Sequence, residues 1–310
     1  MLDMPEIGMA RSVNKSNVKL DVLADWIEAS AIFQMDDTLS ASDAVDLLCS
    51  EEVFATQALA WQTVNDAWGL LRLRKKVLGN GCAFDVEEKR LRRVRQWTAC
   101  PGQSFCILLS CLKWYHNWAR QFGKDYTEQG ELFEDLTQES LKQLFPLWEI
   151  HATGWTRTRV AGLRVVVDAV AKKLGEAIGE LARWTRESAN EAGLDLMLFR
   201  PFADGRTGLP VFLFQCASGS DWDQKLHTPD LRIWTKAIQF PSDPKKAFAT
   251  PFAFLADDFT KTANIVDGLL LDRLRLLAPS AMNPDWVPDE LRGRIVAWMQ
   301  PRIDVLPFKD

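Results

Sequence analysis

The chain has 310 residues, 47% of them hydrophobic, with 13 tryptophans and a formal net charge of −5 at pH 7. That much apolar material is enough for a sizeable core and two domains. The acidic balance excludes nucleic-acid binding through the field of the whole molecule and leaves it to local basic patches.

Residues 1–20 are polar and are expected to be loosely held. From Val22 to Trp118 the pattern is mainly helical, with apolar residues at three- and four-residue spacing through Leu23-Trp26-Ile27 and Phe54-Leu59-Val64-Trp68-Leu71. Ser40-Ala-Ser42-Asp43 is a helix start, and Cys106–Trp118 an apolar, aromatic-rich helix. The polar stretch Arg120–Gln129 separates a mainly helical N-terminal domain, residues 1–120, from a second domain, residues 121–310. That second domain opens with a helix over Glu131–Trp148, a polar turn at Thr153-Gly154 and a long helical stretch over Arg159–Ala189. A β-hairpin follows, then a helical stretch over Asp221–Ala237 interrupted at Pro229, and a strand-like segment at Phe248–Leu255. Asp267–Leu277 reads as an amphipathic helix, and the proline-bearing tail from Pro279 as an irregular cap.

The hairpin is the most informative stretch. Asp195 stands at the start of one apolar run, Leu194–Phe199, and Gln215 ends another, Val211–Gln215, with Pro201, Asp204-Gly205, Gly208 and Pro210 between them. Both residues are equidistant from Gly205, so a symmetric hairpin sets their side chains opposite each other. A carboxylate in so hydrophobic a strand is costly unless something binds it; a divalent cation would do so, as would an arginine such as Arg200 or Arg206. Gln215 has its own plain reading, satisfying backbone groups at a sheet edge. On the helical wheel of Gly130–Trp148, Glu134 is the acid that falls within the apolar arc.

The densest positive charge is Arg72, Arg74, Lys75 and Lys76 together with Lys89, Arg90, Arg92, Arg93 and Arg95, nine basic residues in a span of 24. They suit a DNA or RNA platform, or equally a solvated face paired with Asp85, Glu87 and Glu88. Six cysteines without CxxC or Cys/His pairing argue against zinc and for reduced thiols. The absence of a Ser/His/Asp arrangement, a P-loop or GxGxxG argues against a triad hydrolase, a P-loop NTPase or a dinucleotide enzyme. No apolar run is long enough to span a bilayer and no signal-peptide pattern opens the chain, so a cytoplasmic protein without membrane contact is expected.

Phe133-Glu134, Thr153-Gly154, Gly193-Leu194-Asp195 and Gln215-Cys216-Ala217, in that order, resemble the motifs of the Mrr-like branch of the PD-(D/E)XK nuclease superfamily. The resemblance covers about residues 130–236. It implies a small mixed β-sheet flanked by helices for the second domain, so that with the helical N-terminal domain read from the apolar pattern the fold expected is α+β. It also implies Mg²⁺- or Mn²⁺-dependent hydrolysis of phosphodiester bonds in DNA, in bacterial defence against phage or foreign DNA. Asp195, Gln215, the Cys216 carbonyl and Glu134 would then hold the metal. Two features depart from the pattern. The connection from Gly154 to Asp195 is long, and the lysine expected two residues after Gln215 is Ala217. Lys225 is the substitute best placed in sequence, and a solvated lysine is its plain reading. A separate sensor or motor protein, or self-assembly, is the expected partner. The rival function is a catalytically degenerate subunit that keeps the fold to bind nucleic acid or a protein.

Overall fold

The structure, a computed structural model, describes residues 1–9, 18–54, 56–122, 126–153, 162–180 and 193–309. In chain order the elements are α1 (Leu20–Phe33), β1 (Thr38–Ser40), α2 (Ala41–Ser50), α3 (Gln57–Leu78), β2 (Phe84–Val86), β3 (Arg90–Arg93), α4 (Pro101–Trp114) and α5 (His116–Ala119). Then come α6 (Tyr126–Leu144), β4 (Glu149–Ala152), α7 (Leu163–Leu174), β5 (Ala177–Ile178), β6 (Leu196–Phe199), β7 (Val211–Cys216), α8 (Leu231–Ala237) and β8 (Ile238–Gln239). The chain ends with β9 (Lys245–Ala249), α9 (Ala256–Val266), β10 (Gly268–Leu271), α10 (Arg273–Leu277) and α11 (Asp289–Ile303). It is an α+β protein in two units. The first comprises Met1–Asp125, Pro251–Leu255 and Arg273–Asp310, and the second Tyr126–Thr250 and Ala256–Asp272.

In the first unit Val22 to Phe33 are all buried, so α1 is enclosed on every side. That includes Asp25 and Glu28, whose charges must be met inside the protein. Arg273 Nη1 and Nη2 meet the two Asp25 carboxylate oxygens at 3.0 and 2.5 Å. Arg74 reaches Asp25 at 2.5 Å and Glu28 at 2.6 Å. Gln103 donates to Glu28 at 2.7 Å and accepts the Ala83 N–H at 2.8 Å. Arg273 further donates to the Pro251 carbonyl at 2.8 Å and to Ser110 Oγ at 2.7 Å. This network ties α1, α3 and α4 to Pro251 and α10, which is why segments from late in the chain complete the first unit.

The expected loose N-terminus is corrected at residues 1–9: Leu2 is fully buried and bridges Phe308, and the Trp26 indole N–H donates to the Leu2 carbonyl at 3.1 Å. The expected irregular tail contains α11, which opens after Pro288 with Asp289 and Glu290 in its first turn, where acids suit the helix dipole. The Ser40 start forms a full capping box. Ser40 Oγ accepts the Asp43 N–H at 3.1 Å and Asp43 Oδ2 accepts the Ser40 N–H at 2.9 Å. Ser40→Ala is expected to cost about 1 kcal/mol, read as a lower urea midpoint with an unchanged slope. An unchanged midpoint would mean the box is idle.

The second unit is built on a five-stranded mixed sheet of order β10-β9-β7-β6-β4. The β4–β6 and β6–β7 pairs are antiparallel, and β7–β9 and β9–β10 are parallel. The β6–β7 register pairs Leu196 with Phe214 and Phe199 with Val211, the symmetry about Gly205 that the sequence implies. Val166, Val167 and Val170 of α7 and Trp234 of α8 pack on Met197, Phe199, Val211 and Leu213.

Three expected elements differ. The long helix from Arg159 stops where Gly175 takes φ +71, a left-handed helix end; residues 154–161 and 181–192 lie outside the described residues. Gly268-Leu269-Leu270-Leu271 is not helical but the parallel strand β10, because a short apolar run has no period that separates the two. The strand expected at Phe248–Leu255 is β9, which starts at Lys245 and ends before Pro251.

Candidate functional site

Gly193 brings the chain into β6 with φ +63. A Cβ there would lie 2.5 Å from Thr228 Cβ and 3.0 Å from Gln215 Oε1, so only glycine lets these side chains close over the strand start. Asp195 is then held through its backbone. Its N–H donates to the Phe214 carbonyl at 2.9 Å, and its own carbonyl accepts from Thr153 N–H at 3.0 Å and Thr153 Oγ1 at 3.1 Å. The Thr-Gly turn seen in the sequence is thus a clamp on Asp195 at Thr153; Gly154 lies outside the described residues.

The side chains of Asp195 and Gln215 meet as the hairpin symmetry requires, and both are buried. Asp195 Oδ2 accepts from Gln215 Nε2 at 2.5 Å and from the Cys216 N–H at 2.6 Å. Gln215 Nε2 also lies 3.2 Å from the Cys216 carbonyl, and Gln215 Oε1 lies 3.0 Å from Thr228 Oγ1. Neither arginine weighed as a partner engages Asp195 in these contacts: Arg200 donates to the Leu147 carbonyl, and Arg206 lies 3.8 Å from Asp204.

Helix α6 approaches the same strand end. Gln129 donates to Ser218 O at 3.0 Å and Ser218 Oγ at 3.2 Å, anchoring the helix to the chain just beyond β7. Further along, α6 carries Glu134 and Thr137, which act on Cys216. Burial pushes the Cys216 thiol well above its usual range, the charges of Asp195 and Glu134 push it the same way, and a hydrogen bond from Thr137 opposes them. Cys216 therefore stays a neutral thiol, and its contribution to the site is its backbone. Glu134 is partly buried, as are Glu131, Asp135 and Glu139, so burial does not single it out as the inward acid of α6.

Lys225 ends a single-turn 3-10 helix, Trp222–Lys225, and its side chain is exposed. Its carbonyl, not its ammonium, is joined to the site, accepting from Thr228 N–H at 3.0 Å and Thr228 Oγ1 at 2.7 Å. The segment is held from below by Lys246 of β9, a buried lysine whose Nζ donates to the Leu226 carbonyl at 3.2 Å. Burial lowers the Lys246 pKa, while Asp267 and Asp230 act in the other direction. Sequence reasoning missed Thr228, Lys246 and Gln129, none of which stands in a motif or breaks a hydrophobic pattern in a way that marks it.

Among the described residues no group of three or more His, Cys, Asp and Glu side chains is arranged to hold a metal ion. The donors at this strand end are of another kind: a carboxylate, a backbone carbonyl and an amide. All three carry the hard oxygens that suit Mg²⁺. As arranged, however, the amide presents nitrogen to Asp195, so the set fits the ion only with the amide turned over.

The basic residues of the first unit divide into two groups. Arg74 is buried in the ion network. Arg93 donates to the carbonyls of Ile32, Gln34 and Met35 and pairs with Asp37 at 2.6 Å. Arg95 pairs with Asp285 at 3.0 Å, and Lys75 and Arg92 pair with Asp85 at 2.7 and 3.1 Å. Arg72, Lys76 and Arg90 remain exposed. The stretch therefore presents much less free positive charge than its composition suggests, because half of it fixes the β1–β3 sheet and α3. No helix among the described residues is long and apolar enough to cross a membrane. No family model, curated protein or solved structure matches the chain.

Proposed function

We propose that the second unit is a metal-dependent nuclease domain that hydrolyses phosphodiester bonds of DNA, acting in the cytoplasm in defence against phage or foreign DNA. The observation that carries this reading is the meeting of Asp195, Gln215 and the Cys216 backbone at one end of adjacent strands. Asp195, the Cys216 carbonyl and the Gln215 amide oxygen would hold Mg²⁺ or Mn²⁺, with Glu134 on the α6 side. The bound ion would supply charge neutralisation at the phosphate and a more acidic water. The exposed ammonium of Lys225 would steer a phosphate or the attacking water, and the exposed Arg72, Lys76 and Arg90 would contribute to holding nucleic acid. A separate protein subunit or a second copy of the chain would complete the assembly.

One specific pair of observations favours a second reading, a binding subunit that keeps the fold without the chemistry. Ala217 replaces the motif lysine, and Asp195 is met by an N–H rather than left for a cation. Incubation with linear, circular and single-stranded DNA in Mg²⁺, Mn²⁺ or EDTA separates the two. Metal-dependent cleavage is expected, falling by more than about a hundredfold in Asp195→Ala, as loss of a ligand demands. No cleavage in any metal, alongside retained DNA binding, would favour the binding subunit.

A further inference from the structure

At about 100° per residue, Trp61, Asn65, Arg72 and Lys76 of α3 fall within an arc of about 60°, and no acidic side chain shares it. Trp68 of the same helix is buried in the core, whereas Trp61 is only partly covered. An ammonium stands over its ring: Lys89 Nζ lies 5.4 Å from the Trp61 centroid. The β2–β3 turn that supplies this lysine is fixed beside the helix. Arg72 Nη2 donates to the Glu88 carbonyl at 3.4 Å, and the Lys89 carbonyl accepts the Ala41 N–H at 2.9 Å. Lys75 and Arg92 meet Asp85, and Arg92 lies 3.5 Å from Glu87, so two acids of the hairpin are answered by cations off the arc. Arg72, Lys76, Lys89 and Arg90 are exposed, with Glu88 the remaining exposed acid of the turn.

We propose that this helix face and turn bind single-stranded nucleic acid, with Trp61 as a stacking platform for an unpaired base and Arg72, Lys76, Lys89 and Arg90 as phosphate contacts. A base arriving on the Trp61 ring takes the place of the Lys89 ammonium, whose flexible stem lets it move to a neighbouring phosphate. The exchange keeps the charge of the lysine in use and adds base–ring stacking. A duplex does not offer that stacking, because its bases are already stacked on each other. Trp61 to Lys76 spans about 22 Å of helix, room for several nucleotides. Nucleic acid, rather than another polyanion, follows from the functional reading above, on which this surface rests; the strand state follows from Trp61.

Fluorescence anisotropy of labelled oligo-dT, oligo-rU and a duplex of equal length, titrated with the full chain in EDTA over a range of salt, is the test. Both single strands should bind at least about tenfold more tightly than the duplex. Their affinity should fall with salt with a log–log slope of about −3, for four phosphate contacts at about 0.7 each. Trp61→Ala should weaken oligo-dT binding about tenfold with the slope unchanged, and Trp61→Phe, which keeps a ring, should stay within about threefold of the parent. Arg72→Gln with Lys76→Gln should weaken binding and flatten the slope by about 1.4. Melting temperatures establish that each variant is folded. A duplex bound as tightly as oligo-dT, or Trp61→Ala binding like the parent, overturns the stacking platform. Oligo-dT bound by the parent no better than by the Arg72 and Lys76 double variant overturns the surface. Binding in EDTA with no cleavage in any metal sinks the nuclease reading and leaves the surface standing, whereas cleavage in Mg²⁺ without oligo-dT binding in EDTA sinks the surface and leaves the nuclease.

Discussion

Arg273→Ala is expected to destabilise the first unit by about 3–5 kcal/mol, because it strands a buried carboxylate pair rather than removing a neutral contact. Arg273 is 1% exposed and makes both oxygens of Asp25 part of a two-pronged ion pair, while also holding Pro251 and Ser110. Arg74 alone would be left to neutralise Asp25 and Glu28 together. Urea unfolding is the measurement, and a loss below about 1 kcal/mol would show that Arg74 and water suffice. The network also fixes the direction of an acid response. Burial would push the Asp25 carboxyl up, but Arg273 and Arg74 outweigh it and hold the group below its ordinary value of 3.8. A depressed folded value means that the unfolded chain takes up the proton first. The stabilisation is therefore complete above that ordinary value and is lost as pH falls through the lower folded one. Arg273→Ala should flatten the part of the acid-unfolding curve that Asp25 contributes.

Gly193→Ala is the second large effect, and it acts on the candidate site. The residue sits at φ +63, where a side chain costs about 1–2 kcal/mol. Its new Cβ would lie 2.5 Å from Thr228 Cβ, a contact that forces Thr228 outward at a further cost of about 1–3 kcal/mol. Thermal denaturation should register the combined loss. Displacement of Thr228 should also release Gln215 Oε1. Retention of the parent melting temperature would show that Thr228 does not pack over the strand start. The bond between Thr228 and Gln215 would then fall with it.

The sequence by itself determined the hairpin and the acid-amide pair within it. Two apolar runs stand at equal distances on either side of Gly205, and the symmetric register this implies is the one observed, with Asp195 beside Gln215. Ser40 at α2 was legible from a Ser-x-x-Asp capping pattern, and the α+β class from the change between helical and strand-like runs. Only the tertiary structure decided what depends on residues far apart in the chain. Gly268–Leu271 is a strand because β9 is there to pair with it, not because of its own apolar run. The basic stretch at residues 72–95 reads as a single charged surface in sequence. In the fold Arg74 turns inward to two acids of α1, and Arg93 to carbonyls near the end of that helix. Asp25 and Glu28 stand in an apolar helix with no partner nearby in the sequence: Arg273 lies 248 residues from Asp25, and Arg74 lies 46 residues from Glu28. Thr228, Lys246 and Gln129 act through single hydrogen bonds to backbone or amide groups, and such bonds leave no periodicity. Local side-chain period is written in the chain; the pairing of buried charges and the direction of a buried amide are set by whatever the fold brings opposite them.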